Sequence, residues 1–204
     1  MKVLVTGANG QLGQDVIREL KEQHIECLGT TRDMLDLTDE HSVHRLIIEY
    51  SPDIVVHCAA YTAVDKAEDE IELCRKVNVD GTKYVVDACK VIDAKLMYIS
   101  TDYVFPGKGT SFYQINDEKG PKNVYGQSKL DGEKIVKQYL DKYFIVRISW
   151  VFGIHGNNFV KTMLRLGETH SILRVVDDQI GSPTYTEDLS KLLVSMIQTD
   201  KYGI

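Results

Sequence analysis

The stretch Lys2-Val3-Leu4-Val5-Thr6-Gly7-Ala8-Asn9-Gly10-Gln11-Leu12-Gly13 decides how this chain folds. A continuous apolar run ends in a glycine-rich turn, and Leu12, Val16, Ile17 and Leu20 then recur at helical spacing. A strand, a tight turn and a helix in direct succession form the first crossover of a doubly wound α/β sheet. The glycines permit the turn, close approach of backbone N–H groups to a pyrophosphate, and close helix–strand packing. The helix N-terminus adds partial positive charge. The spacing is G-x-x-G-x-x-G, not the G-x-G-x-x-G of simpler dehydrogenases. A glycine motif alone also fits a structural turn; its place in the first crossover favours dinucleotide binding.

The same rhythm continues outward. Residues 25–29 read as a second strand, 53–57 as a third, 95–100 as a fourth and 144–148 as a fifth. Asp39 can cap a helix carrying Val43, Leu46 and Ile47. Residues 68–91 read as one long helix, and residues 125–139 as the helix between strands four and five. Strands alternating with helices imply a parallel sheet built from right-handed crossovers. Apolar strands such as Ile54-Val55-Val56 fit a sheet covered on both faces. Residues 103–123 carry Pro106, Gly107, Gly109, Gly120 and Pro121 and read as a long, functional loop. Further on, 159–166 reads as a helix, 172–176 as a strand, and 187–198 as a last helix with no closing element after it.

Bulk properties exclude several classes. The 204 residues are 43% hydrophobic and 26% charged, an ordinary globular balance. A net charge of −6 without a basic run speaks against nucleic acid. No stretch approaches the roughly 18 apolar residues of a membrane span, and the apolar N-terminal run is too short for a signal peptide. Cys27, Cys58, Cys74 and Cys89 lack C-x-x-C spacing and read as reduced thiols of a cytoplasmic protein. No histidine pair suggests zinc.

Candidate cofactor contacts follow the carboxyl ends of the strands. Gly7, Asn9, Gly10, Gln11, Leu12 and Gly13 form the phosphate turn. Arg32 and Asp33 are adjacent after strand two, so NADH and NADPH both stay open, with Arg32 leaning toward the 2′-phosphate of NADPH. Asp36 and Leu37 can flank the adenine. Ala59, Ala60 and Tyr61 follow strand three, where small side chains let a cofactor lie against the sheet edge.

Tyr125 and Lys129 stand at i and i+4 on one helical face. Tyrosine is a poor proton donor or acceptor at neutral pH, its ordinary pKa being about 10. A nearby ammonium favours the phenolate and draws that value down. Lysine also reaches cofactor ribose hydroxyls. Such a pair alone is usually a solvated helix face; behind a dinucleotide turn it points to hydride transfer to a carbonyl. Thr101, at the end of strand four, is the expected hydroxyl partner for that carbonyl, with Ser100 as a cofactor contact. Asp102 and Tyr103 can touch substrate hydroxyls, and Trp150 can stack on a base or sugar.

The segments GANGQLG (7–13), HCAAY (57–61), STDYVF (100–105), NVYGQSK (123–129), RISWVFG (147–153) and DQIGSPTY (178–185) resemble those of the extended short-chain dehydrogenases, and most closely the dTDP-4-dehydrorhamnose reductase family. STDYVF, SWVFG and DQ-x-GSPTY are the more specific ones. The resemblance implies a Rossmann-like domain over 1–150 and a partial substrate lobe over 151–204. It implies NAD(P)H-dependent reduction of the 4-keto group of dTDP-4-dehydro-L-rhamnose, or a similar sugar nucleotide, in polysaccharide biosynthesis. Tyr125 is then the acid, Lys129 its partner and Thr101 the third member. Asp102, Tyr103 and Trp150 map onto substrate contacts, and Asn78 matches the family's helix asparagine, a cofactor contact. Mg2+ and a monomer or homodimer also follow from the resemblance. Pro106 departs from the family's acidic residue or Asn, and the family's later elements are missing after Ile204, so the substrate side is expected to be incomplete. Two alternatives stand beside the reductase: a non-catalytic NADP-binding regulatory subunit, and a sugar-nucleotide epimerase or dehydratase.

Overall fold

The computed structural model describes all 204 residues. Five parallel strands, β1 (Lys2–Thr6), β2 (Glu26–Thr30), β3 (Ile54–His57), β4 (Lys95–Thr101) and β5 (Tyr143–Ile148), lie in the order β2-β1-β3-β4-β5. Successive strand residues point to opposite faces, and both faces are apolar. Leu4, Val55, Leu96, Tyr98 and Ile145 share one core layer with Val43 and Ile47 of α2 (Glu40–Tyr50), Val85 and Val86 of α5 (Gly81–Val91) and Val136 of α6 (Val124–Tyr139). Val3, Val5, Ile54, Val56, Met97 and Phe144 share the other with Leu12, Val16 and Leu20 of α1 (Gln11–Glu22) and Leu189, Leu193, Val194 and Ile197 of α8 (Thr186–Ile197). The chain runs outward from β1 in two directions, so the crevice between the carboxyl ends of β1 and β3 is a topological switch point, where open α/β sheets bind ligands.

Asp39 caps α2 as its position suggests, accepting from the backbone N–H groups of His41 and Ser42. Other expectations need correction. The continuous 68–91 helix is absent. Short helices α3 (Val64–Ala67) and α4 (Ile71–Arg75) lead into a π-helical turn, Lys76–Asp80, before α5. The wider turn carries Asn78, whose side chain bonds outside the helix. It is followed by Gly81, where a Cβ would stand 2.9 Å from the Leu37 carbonyl oxygen. Residues 172–176 form no strand, and Ile172 is 80% exposed; periodicity cannot separate a short buried apolar run from an exposed one. The second sheet instead pairs β6 (Val151–Phe152) with β7 (Thr184–Tyr185) in parallel.

The division at residue 150 does not describe how the end of the chain packs. Leu193, Val194 and Ile197 are fully buried under the main sheet, each contributing about 1.5–3 kcal/mol of burial. Beyond α8, Gly203 exchanges backbone hydrogen bonds with the β5 edge, through Tyr143 O at 2.9 Å and Ile145 N at 2.8 Å. Phe144 and Gly203 thus form a parallel bridge on the β5 edge. Between β6 and β7 runs α7 (Phe159–Gly167), a helix that buries none of its residues. No helix is long and apolar enough to cross a membrane.

Candidate active site

The glycine turn closes on itself tightly. Gly7 has φ +69, and a Cβ there would stand 2.8 Å from the Ala59 backbone; a Cβ on Gly13 would stand 2.2 Å from the Gly7 carbonyl oxygen. Such approaches exclude any other residue and bring the start of α1 against the β1–β3 crevice. Gly10 at the N-cap offers no side-chain acceptor, and the first turn of α1 holds no acidic residue. The leading N–H groups of α1 thus have no side-chain acceptor at the cap, and the helix end favours an anion.

The crevice opens into a cleft of about 530 Å³. Its walls contain every candidate contact from the phosphate turn (Gly7, Asn9, Gly10, Gln11, Leu12, Gly13), the β2 end (Arg32, Asp36, Leu37) and the β3 end (Ala59, Ala60, Tyr61). They also contain Ser100, Thr101, Asp102, Tyr103, Tyr125, Lys129 and Trp150. Arg32 lines the cleft whereas Asp33 does not. The Asp36 carboxylate is already engaged, its Oδ1 accepting from the Thr38 N–H at 2.9 Å and hydroxyl at 2.8 Å. Those bonds hold its pKa below the usual carboxylate range.

Asn78 is the exception among the candidates. It is 2% exposed and does not reach the cleft wall. Its Nδ2 donates to Tyr61 O at 3.0 Å and to Ser128 Oγ at 2.9 Å, while its Oδ1 accepts from Tyr61 N at 2.8 Å. Ser128 in turn donates to Tyr125 O at 2.7 Å. Asn78 thus braces the loop after β3 against the helix of the Tyr–Lys pair from behind. The π-helical turn turns its amide out of the helix for that task, a common use of such turns.

The same helix is placed by two residues that spacing did not single out. Asn123 caps it, accepting from Gly126 N at 2.7 Å. Gly126 admits the backbone of Tyr103, since a Cβ there would stand 2.4 Å from the Tyr103 carbonyl oxygen. Tyr125 consequently meets the ring of Tyr103 edge-on, with centroids 5.9 Å apart. Thr101 Oγ1 donates to Asp102 Oδ1 at 3.0 Å and accepts from Tyr103 N at 3.2 Å.

The pair does not yet have the electrostatics expected of it. Burial pushes the Tyr125 phenol up to about 12, a shift opposed by the Thr101 hydroxyl. Burial pushes the Lys129 amine down to about 7, opposed by Glu133, Cys58 and Cys74. Desolvation disfavours the charged form of both groups, so the ammonium does not draw the phenol down. Tyr125 keeps its proton near neutrality, which is the form a proton donor needs. Lys129 Nζ lies 4.0 Å from the Tyr98 ring centroid. His57 is neutral, pushed down to about 3 by burial, and bridges Thr6 and Thr82 as a core residue.

Trp150 lines the same cleft in a left-handed conformation, φ +46, unusual for so bulky a residue. Its carbonyl accepts from Thr184 N at 3.2 Å. Gly181 lies against the indole, where a Cβ would come within 2.7 Å of the ring. Ser149 donates to Ser182 O at 2.6 Å. No group of three or more His, Cys, Asp or Glu side chains is placed to hold a metal ion.

A doubly wound sheet with a glycine turn at the switch point and a Tyr–Lys pair across the cleft defines the dinucleotide-dependent dehydrogenase/reductase class. Within it, the chain belongs to the family described as the RmlD substrate binding domain, whose model matches residues 1–203. It is 46% identical over 195 residues to the spore coat polysaccharide biosynthesis protein SpsK of Bacillus subtilis, covering 96% of this chain and 69% of that protein. It is 40% identical over 210 residues to a dTDP-4-dehydrorhamnose reductase of Aggregatibacter actinomycetemcomitans, covering 100% and 71%. A crystal structure of dTDP-4-dehydrorhamnose reductase from Bacillus anthracis in complex with NADP superposes with a TM-score of 0.96 at 46% identity, covering all of this chain and 73% of that one.

Proposed function

We propose that the chain carries the cofactor site and reaction centre of an NAD(P)H-dependent reductase acting on the 4-keto group of dTDP-4-dehydro-L-rhamnose. The observation that carries this reading is the meeting of Thr101, Tyr125 and Lys129 in one cleft with the Gly7–Gly13 turn. Relatives named dTDP-4-dehydrorhamnose reductase support the substrate class. A relative named dTDP-4-keto-6-deoxy-D-glucose reductase, from Streptomyces niveus and 37% identical, has a name from the same 4-keto deoxysugar chemistry.

The glycine cradle fits a dinucleotide: filling it with any Cβ would close the crevice that the α1 N–H groups face. The reduced nicotinamide supplies the hydride for the keto carbon. Tyr125 gives its phenolic proton to the keto oxygen, so ketone, hydride and proton together make the alcohol. Lys129, when charged, stabilises the phenolate left behind, and solvent returns the proton. Thr101 orients the keto oxygen by a hydrogen bond once its proton turns from Asp102. Asp102, Tyr103 and Trp150 flank the sugar. Arg32 in the cleft wall, with Asp33 outside it and Asp36 engaged, supports NADPH over NADH.

The test is loss of reduced-nicotinamide absorbance on adding dTDP-4-dehydro-L-rhamnose to the protein, with NADPH and NADH compared. Absence of turnover with either cofactor would sink the reading.

A further inference from the structure

Lys129 is followed one turn later by Glu133, so Tyr125, Lys129 and Glu133 lie at i, i+4 and i+8 along one face of α6. Glu133 is 2% exposed. Its Oε1 accepts from Ser100 Oγ at 2.6 Å and from Arg147 Nε at 2.8 Å, and its Oε2 accepts from Arg147 Nη2 at 2.7 Å. Arg147 reaches on with Nη1 to Ile115 O at 3.1 Å. Its guanidinium lies 5.1 Å from the ring of Phe105, which stacks on Tyr113 at 4.3 Å. An ion pair buried this deeply is weak evidence for stability, because desolvation offsets the attraction. Its place calls for another reason.

The groups facing Lys129 are the Tyr98 ring from β4, His57 and Cys58 from the β3 end, Cys74 from α4, and Tyr125 and Glu133 from its own helix. Burial leaves His57 an uncharged imidazole, Cys58 a thiol pushed up to about 12, and Tyr98 and Tyr125 protonated phenols. Glu133 is the carboxylate of the set, and Arg147 and Ser100 keep it in place. Ser100 is tied by the same bond: its hydroxyl proton is given to Glu133, so toward the cleft it can only accept.

We propose that Glu133, held by Arg147 and Ser100, is a positioning residue of the reaction centre: it favours the charged form of Lys129 beside Tyr125, against burial, and ties the Tyr–Lys helix to the loop over residues 103–123. The proposal rests on the reductase reading for its place in the reaction, but its electrostatic part does not. A 15N-lysine NMR titration of the Lys129 amine, assigned with Lys129→Met, reads the electrostatic part on the cofactor-free chain. Glu133→Gln keeps the shape and removes the charge. The Lys129 midpoint then falls by about one pH unit or more, the usual effect of losing an opposite charge at close range. Glu133→Asp keeps the charge and restores most of the shift. Since a lone buried Arg147 endangers folding, Glu133→Gln/Arg147→Gln serves as the charge-balanced variant. Its midpoint also falls, because the carboxylate one turn from Lys129 on the same face of α6 is gone.

With the full-length protein and the keto sugar, the alkaline limb of the kcat/KM profile moves to lower pH by the same amount in Glu133→Gln. A purely structural Glu133 lowers stability and moves neither midpoint. An unchanged Lys129 midpoint overturns the proposal. A shifted midpoint with an unmoved alkaline limb overturns its part in the reaction. Failure of all turnover, with the NMR shift intact, overturns the reductase reading and leaves the Glu133–Lys129 coupling standing.

Discussion

Replacing Asn78 by alanine tests the idea that this residue braces the cleft without touching its ligand. The substitution removes hydrogen bonds of 2.8 and 3.0 Å to the part-buried Tyr61 backbone and of 2.9 Å to the buried Ser128. It strands the Tyr61 N–H and C=O and one acceptor site of Ser128. A net hydrogen bond contributes about 1 kcal/mol, and each stranded buried group costs about 1–3 kcal/mol. The fold is thus expected to lose about 3–5 kcal/mol, read as a lower midpoint in urea at unchanged slope. Because Tyr61 lines the cleft and Ser128 holds Tyr125 O, calorimetry should also show weaker NADPH binding. Asn78→Asp separates the two consequences. It keeps the bond from Tyr61 N but sets an oxygen against the Tyr61 carbonyl. That oxygen also faces Ser128 Oγ, whose proton is given to Tyr125. The variant should be weak at neutral pH and recover as the carboxyl protonates in acid. Alanine costing under about 1 kcal/mol, or Asp matching the wild type at pH 7, would refute the bracing argument.

Three other outcomes follow from the same structure. Gly181→Val drives side-chain atoms into the Trp150 indole, so it should raise KM for the sugar nucleotide while leaving NADPH affinity unchanged; steady-state kinetics and calorimetry decide, and equal losses in both count against Trp150 as a sugar contact. The Lys129 amine is held at about 7 when folded against 10.5 ordinarily. Between those values the unfolded chain holds the extra proton, so stability from this group rises with pH. The advantage of Lys129→Met over wild type should be largest below pH 7 and shrink by pH 9, as denaturant titrations across that range will show. Leu193→Ala should cost about 2–5 kcal/mol in a single cooperative transition, because α8 belongs to the main core; a separate early transition would return it to the substrate lobe.

Much of this protein can be read along the chain, for reasons local to it. Apolar runs of four to six residues, helical periodicity and a glycine turn are short-range patterns, so the parallel sheet, α1, α2 and α6 and most of the cleft lining follow from residues near one another in sequence. The Tyr125–Lys129 pair is legible for the same reason: i to i+4 is one helical face. What the sequence could not decide depends on distant partners. Asn78 looks like a cofactor contact until Tyr61 and Ser128 are seen to occupy its amide. Residues 172–176 have a strand's composition but no neighbour to pair with, and α8 follows a loop yet returns to the sheet beside α1. The Tyr–Lys chemistry shows the same division. Spacing brings the phenol and the amine together, but their charges are settled by desolvation, and desolvation is a property of the closed tertiary fold around β3, β4 and α6.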